Sequence, residues 1–79
     1  QKADKTKSKV YDDSLSKREV EILVLVAQGL MNKEIADRLN ISLNTVITHR
    51  KNIIKKTGIK SVAGLTSYAL MHNYINIET

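Results

Sequence analysis

The sequence contains no cysteine, no proline, no tryptophan and no phenylalanine, and only three glycines and three tyrosines among its 79 residues. Without cysteine there is no disulfide framework, no thiolate metal site and no thiol nucleophile. Scarce turn-formers, and aromatics limited to tyrosine, argue against a sandwich or barrel, whose many short strands need both. No uninterrupted apolar run approaches the roughly 18 residues of a membrane-spanning helix, and no apolar signal core follows the first lysines. A cytoplasmic location is therefore expected. What remains is helix: an all-α domain, a single one, because a chain this short cannot build a second core.

Charge is the next feature. Thirteen Lys and Arg against eight Asp and Glu give a net charge of +5. Such a balance favours nucleic acid, anionic lipid or an acidic partner without choosing among them. Its distribution says more. Residues 1–14 hold four lysines and three aspartates with no helical or strand period, so a flexible arm or interdomain linker is expected there. Residues 42–60 contain Arg50, Lys51, Lys55, Lys56 and Lys60 and no acid. The first residue is Gln, and the chain is expected to be a fragment of a longer protein, with residues 15–79 as its folded domain.

Four helix starts are legible. Ser16 with Glu19 three residues later forms a capping box, in which each side chain satisfies a free amide of the first turn. Ile22, Leu23, Val26 and Ala27 carry that helix to Gly29, a left-handed terminator. Asn32 is expected to cap a short second helix, with Ile35, Ala36 and Leu39 on one face and Asn40 at its end. Ser42 caps a third helix running to Thr57 and stopped by Gly58, and Ser61 caps a fourth reaching about Tyr74. Only Asn40, Ile41 and Ser42 separate helices two and three, so these must cross steeply as a helix-turn-helix. Ala36 is expected to face Val46 across that crossing, with Ile41 plugging the corner.

A helical wheel then sorts the third helix. Val46 and Ile53 fall together on the inner side, while Asn44, Ile47, Thr48, Lys51 and Lys55 fall on the outer one. An ordinary solvated face mixes acids with bases to gain pairs one turn apart. This one has cations, an amide, a hydroxyl and an aliphatic group only. Lys51 and Asn44 suit base edges, and Thr48 and Ile47 suit a thymine methyl. The same face would also suit an acidic protein surface, so a protein-interaction module is the alternative. An amphipathic helix on anionic membrane is disfavoured, since the third helix lacks a broad face of large apolar residues.

Residues 15–69, beginning LSKREVEILVLVAQGLMNKEIADRLNISLNTVITHRKNIIKKTGIKS, resemble the LuxR-type (GerE-like) helix-turn-helix domain without a gap. The NKEIA and ISxxTVxxH segments carry the resemblance. It implies a four-helix DNA-binding output domain of a bacterial transcription regulator. Helix three would lie in the major groove and helix four at a dimer contact, behind an N-terminal sensor or receiver domain, with RNA polymerase as a further partner. Carried over position by position, it implies base contacts from Ile47, Thr48 and Lys51, to which the wheel adds Asn44. Phosphate contacts would come from Lys33, Thr45, Lys56 and Ser61, joined by Lys55 from the outer face. Glu19 and Glu34 match acids that pack internally.

Three departures stand out: Ile47 where the family pattern has lysine, Thr57 where it has leucine, and Val62 where it has arginine. The second is expected to weaken packing, and the other two remove cations. Val20 and Val24, one turn apart, read first as scattered surface valines, with a docking patch for a receiver or ligand-sensing domain as the alternative. On helix four, Leu65, Ala69 and His72 are expected inward, with Ala63, Leu70 and Tyr74 as the dimer stripe and packing of that stripe against the N-terminal arm as the alternative. His49 and His72 lack carboxylate or cysteine partners for a metal site or catalytic dyad, and His49 is read as a packing and hydrogen-bonding residue. The serines and threonines sit at caps, and no glycine-rich phosphate loop exists. No enzymatic activity, metal or cofactor is expected.

Overall fold

In a computed structural model, which describes residues 15–76, the domain is built from four helices. They are α1 (Lys17–Ala27), α2 (Asn32–Leu39), α3 (Leu43–Thr57) and α4 (Val62–Met71), and no strand occurs among the described residues. The arm expected over residues 1–14 lies outside them. The helix-turn-helix is central in chain order, but α1 is the hub in space. It packs against each of the other three helices, while α2 packs on α3.

That hub role follows from the unbroken apolar run of α1. Ile22, Leu23, Leu25 and Val26 are all buried, so apolar side chains cover most of the helix girth rather than one stripe. Ile35 and Ala36 of α2, Val46 and Ile53 of α3, and Leu65 and Ala69 of α4 complete a single core cluster. Ala36 and Val46 are both buried in this cluster, where α2 packs on α3, and Ile41 packs against it from the corner. Leu25, left out of the sequence-based core, is 8 % exposed.

Three of the helices end alike. At Gly29, Asn40 and Asn73 the backbone turns left-handed. In each case that residue's amide reaches back three residues and the next residue's amide reaches back five: Leu30 to Leu25, Ile41 to Ala36, Tyr74 to Ala69. This Schellman arrangement satisfies two carbonyls and places an apolar residue where it can fold onto the core. Leu30, Ile41 and Tyr74 all do so.

Asn73 explains one difference from the sequence reading. α4 stops at Met71 instead of continuing to Tyr74, because the asparagine supports a left-handed stop. His72 consequently leaves the helical wheel. It is exposed rather than inward, with its ring stacked on Tyr68 at 4.1 Å and on Tyr74 at 5.8 Å between centroids.

The start of α2 also differs. Asn32 is the first helical residue, not the cap, and the capping contact comes from Glu34, whose Oε1 accepts the Met31 amide at 2.7 Å. Glu34 is exposed rather than internal. The Asn32 side chain instead accepts a hydrogen bond from Arg50 Nη1 at 2.6 Å, tying α2 to α3. Thr57 does more than fill a leucine position. Its hydroxyl donates to the Ile53 carbonyl at 2.8 Å and accepts the Ile59 amide at 3.1 Å, bracing the exit from α3. Val20 and Val24 are half-buried and line a shallow groove with Glu21, Leu25, Arg38 and Leu39.

Candidate nucleic-acid interface

The interface is built on α3. Ser42 Oγ accepts the Thr45 amide at 3.0 Å and shares a second hydrogen bond with Thr45 Oγ1 at 2.8 Å, which fixes the first turn. Val46 and Ile53 face the core and set the rotation of the helix about its axis. Asn44, Thr48, Lys51 and Lys55 are then all exposed, and Ile47 is half-buried at their margin. The structure brings these five together on one side of a 15-residue helix, about 22 Å long, that carries no acid. Lys55 and Lys56 lie in its last turn, where cations also complement the helix dipole.

The residues expected to hold phosphates divide into two groups. Lys33, in the first turn of α2, and Lys55 are exposed, and among the described residues neither ammonium has an acid within ion-pair distance. Ser61 Oγ accepts the Gly64 amide at 3.0 Å, which leaves its hydroxyl proton available to an acceptor such as a phosphate oxygen. In the Ser42–Thr45 hydroxyl pair, one proton likewise remains for an outside acceptor. Lys56 is different. Its Nζ is 2.8 Å from Glu19 Oε1, so it already has a counter-charge.

Glu19 is the one buried charged residue described. Burial alone would raise its pKa. The Lys56 ammonium, a hydrogen bond from the Ser16 amide and the Ser16 hydroxyl together hold the carboxyl below the ordinary glutamate value. The expected internal role of Glu19 is thus observed. His49 turns inward as well, but its Nδ1 is buried without a hydrogen-bond partner, so packing is its observed role and the expected hydrogen bond is not made at that atom.

The residues expected at a dimer contact are spread along α4 and beyond it. Ala63 is exposed in the first turn, and Leu70 is half-buried near the end. Tyr74 lies past the helix, packed against the core. Sequence reasoning missed the Arg50–Asn32 tie, because Asn32 was assigned to capping. It also missed Leu43, which is 46 % exposed beside the outer face; its one-turn spacing from Ile47 was the available signal.

Residues 13–69 match the model of the bacterial regulatory proteins of the luxR family. The chain belongs to this family. The transcriptional regulatory protein MctR of Rhizobium johnstonii is 50% identical over 64 residues, covering 81% of this chain and 30% of MctR. The oxygen regulatory protein NreC of Staphylococcus aureus is 54% identical over 56 residues, covering 71% of this chain and 26% of NreC. Among solved structures, the response regulator ChrA of a heme-sensing two-component system superposes with a TM-score of 0.71 at 38% identity, over 80% of this chain and 31% of ChrA. The luxR-family chain therefore spans less than a third of the length of these relatives. Its helix-turn-helix is of the kind that binds DNA in transcription regulation, and the protein-interaction alternative is not favoured. Among the described residues no helix is long and apolar enough to cross a membrane.

Proposed function

We propose that this domain binds duplex DNA sequence-specifically as the output module of a bacterial transcription regulator, with α3 in the major groove. The observation that carries the reading is the exposed, acid-free side of α3, held in one orientation by Val46 and Ile53 below and by the Arg50–Asn32 tie beside it. Asn44, Ile47, Thr48 and Lys51 contact base edges. Lys33, Thr45, Lys55 and Ser61 contact phosphates, with the first-turn amides of their helices adding to the anion site. Lys56 joins them only by sharing its ammonium with Glu19.

Two copies form a two-fold dimer through α4, at Ala63 and Leu70 with Tyr74 alongside, and read half-sites about 34–36 Å apart. An N-terminal receiver or sensor domain controls them in the cytoplasm, and RNA polymerase is the downstream partner. The deciding measurement is binding to mixed-sequence duplex at rising salt. Lys33 and Lys55, the two exposed lysines assigned to phosphates, each displace about one counterion and give a log–log slope of roughly −2 per bound domain. A flat response would overturn the reading.

A further inference from the structure

The leading half of α3, the part that meets base edges in helix-turn-helix proteins, holds no lysine or arginine. Over its first two turns the exposed side chains are Leu43, Asn44 and Thr48, with Ile47 half-buried beside them. Leu43 is 46 % exposed at the first helical position, and Ile47 stands one turn further along the same side. Arg50, the nearest arginine, is half-buried with its Nη1 on Asn32. The first outward cation is Lys51, in the third turn.

This set of side chains selects among bases. In the major groove guanine shows two acceptors and cytosine a donor, while thymine alone shows a methyl group. Two acceptors are read by a bidentate cation, which the first two turns do not offer. An aliphatic side chain pressed on a G·C edge would strip water from polar atoms and return no hydrogen bond. Pressed on a thymine methyl, it buries apolar surface on both sides. Asn44 adds a carboxamide suited to the paired donor and acceptor of adenine.

Building on the DNA-binding reading, we infer that Leu43, Ile47 and Thr48 read thymine C5 methyl groups, so that the part of each half-site under the first two turns of α3 is A·T. The replacement of the family pattern's lysine by Ile47 is then a change of specificity: a methyl reader stands where a cation would favour guanine.

The test uses the 79-residue chain and DNA that differs by single methyl groups. Bound sequences are first selected from a randomised duplex pool. Each thymine of the selected half-site is then replaced in turn by deoxyuridine, which keeps the pairing and removes only the methyl. The expected result is A·T enrichment beneath α3 and, at one to three thymines, binding about fourfold weaker per methyl removed. Ile47→Ala loses the thymine-over-uracil ratio at its own position, and Thr48→Ser, an exposed change that deletes one methyl, loses it at another. Equal affinity for thymine and uracil throughout, or G·C enrichment under α3, overturns this inference and leaves DNA binding standing. Failure to retain any duplex at low salt overturns both.

Discussion

Lys56 Nζ lies 2.8 Å from Glu19 Oε1, and the same oxygen accepts the Ser16 amide at 2.9 Å. One carboxylate oxygen thus closes the first turn of α1 and grips the last turn of α3. The glutamate side chain is 6 % exposed and the lysine side chain 39 %, so only the acidic end is shielded from water. The pair ties α3 to the hub, and it gives the Lys56 ammonium a counter-charge. The orientation of α3 thus rests on an ion pair to α1 as well as on its core residues Val46 and Ile53.

Replacing Glu19 by Gln isolates the charge, because glutamine at this position can still complete a capping box. A loss of about 1–2 kcal/mol is expected at pH 7, at the lower end of charged hydrogen bonds because the lysine is partly solvated. The folded carboxyl is more acidic than the unfolded one. Its contribution is therefore fully present above the ordinary glutamate value near 4.3 and fades as pH falls through the lower folded value. Urea unfolding at pH 7 and pH 3 should show the two proteins converging at acid pH. A gap of equal size at both would remove the linkage.

Gly64 sits in the first turns of α4, where a methyl group built on its α-carbon would stand 2.5 Å from Ile59 Cγ2 and 3.0 Å from Ser61 Oγ. Helix propensity favours Gly64→Ala by about 1 kcal/mol. A β-branched isoleucine cannot easily turn its methyl away, and overpacking of this kind costs roughly 1–3 kcal/mol. The clash wins, and a net loss of about 1 kcal/mol is expected. In an Ile59→Ala background the obstacle is gone, and the same Gly64→Ala change becomes stabilising. Thermal unfolding of the four proteins checks the sign reversal.

Lys33 and Lys51 are both exposed on different elements, and the proposed interface gives them different tasks. Lys33→Ala is expected to weaken binding to every duplex alike and to make the salt slope shallower by about 1. Lys51→Ala is expected to cost about 1–3 kcal/mol on the selected site and much less on random DNA. Titrations of both duplexes at two salt concentrations separate these patterns. If Lys51→Ala weakened both duplexes equally, Lys51 would be a phosphate contact instead.

All four helices and three of their N-terminal caps were legible in the sequence, because Ser16, Ser42 and Ser61 do the capping chemistry their residue type favours. The outward set on α3 was legible for the same kind of reason: Val46 and Ile53 fix the rotation, and period fixes the rest. Long-range side-chain choices were not. Asn32 can cap locally or bond Arg50 across the turn, and only the packed arrangement decides between them. Lys56 faces an analogous choice between solvent and Glu19, 37 residues away. The stop at Asn73 was not legible from the helical period: it depends on a left-handed asparagine, as at Asn40, and on Tyr74 at the next position folding back onto the core.

Ala63 offers the cleanest test of the dimer. α4 packs on α1 through Leu65 and Ala69, which leaves Ala63 exposed on another side of the helix. Leu70 is a poor probe by comparison, because it lines a groove with Val24, Tyr74 and Ile75, and a charge there would disturb folding. Ala63→Glu lies on the surface and should change stability by no more than about 0.5 kcal/mol. In a two-fold contact the substitution appears twice, on like surfaces, so the new carboxylates repel each other. Roughly 0.7 kcal/mol per copy would lower affinity for a duplex with two half-sites about tenfold, while a single half-site is bound as before. Gel-shift titration of the two duplexes reads the ratio directly. Equal behaviour of wild type and variant on the two-site duplex would move the dimer contact away from the start of α4.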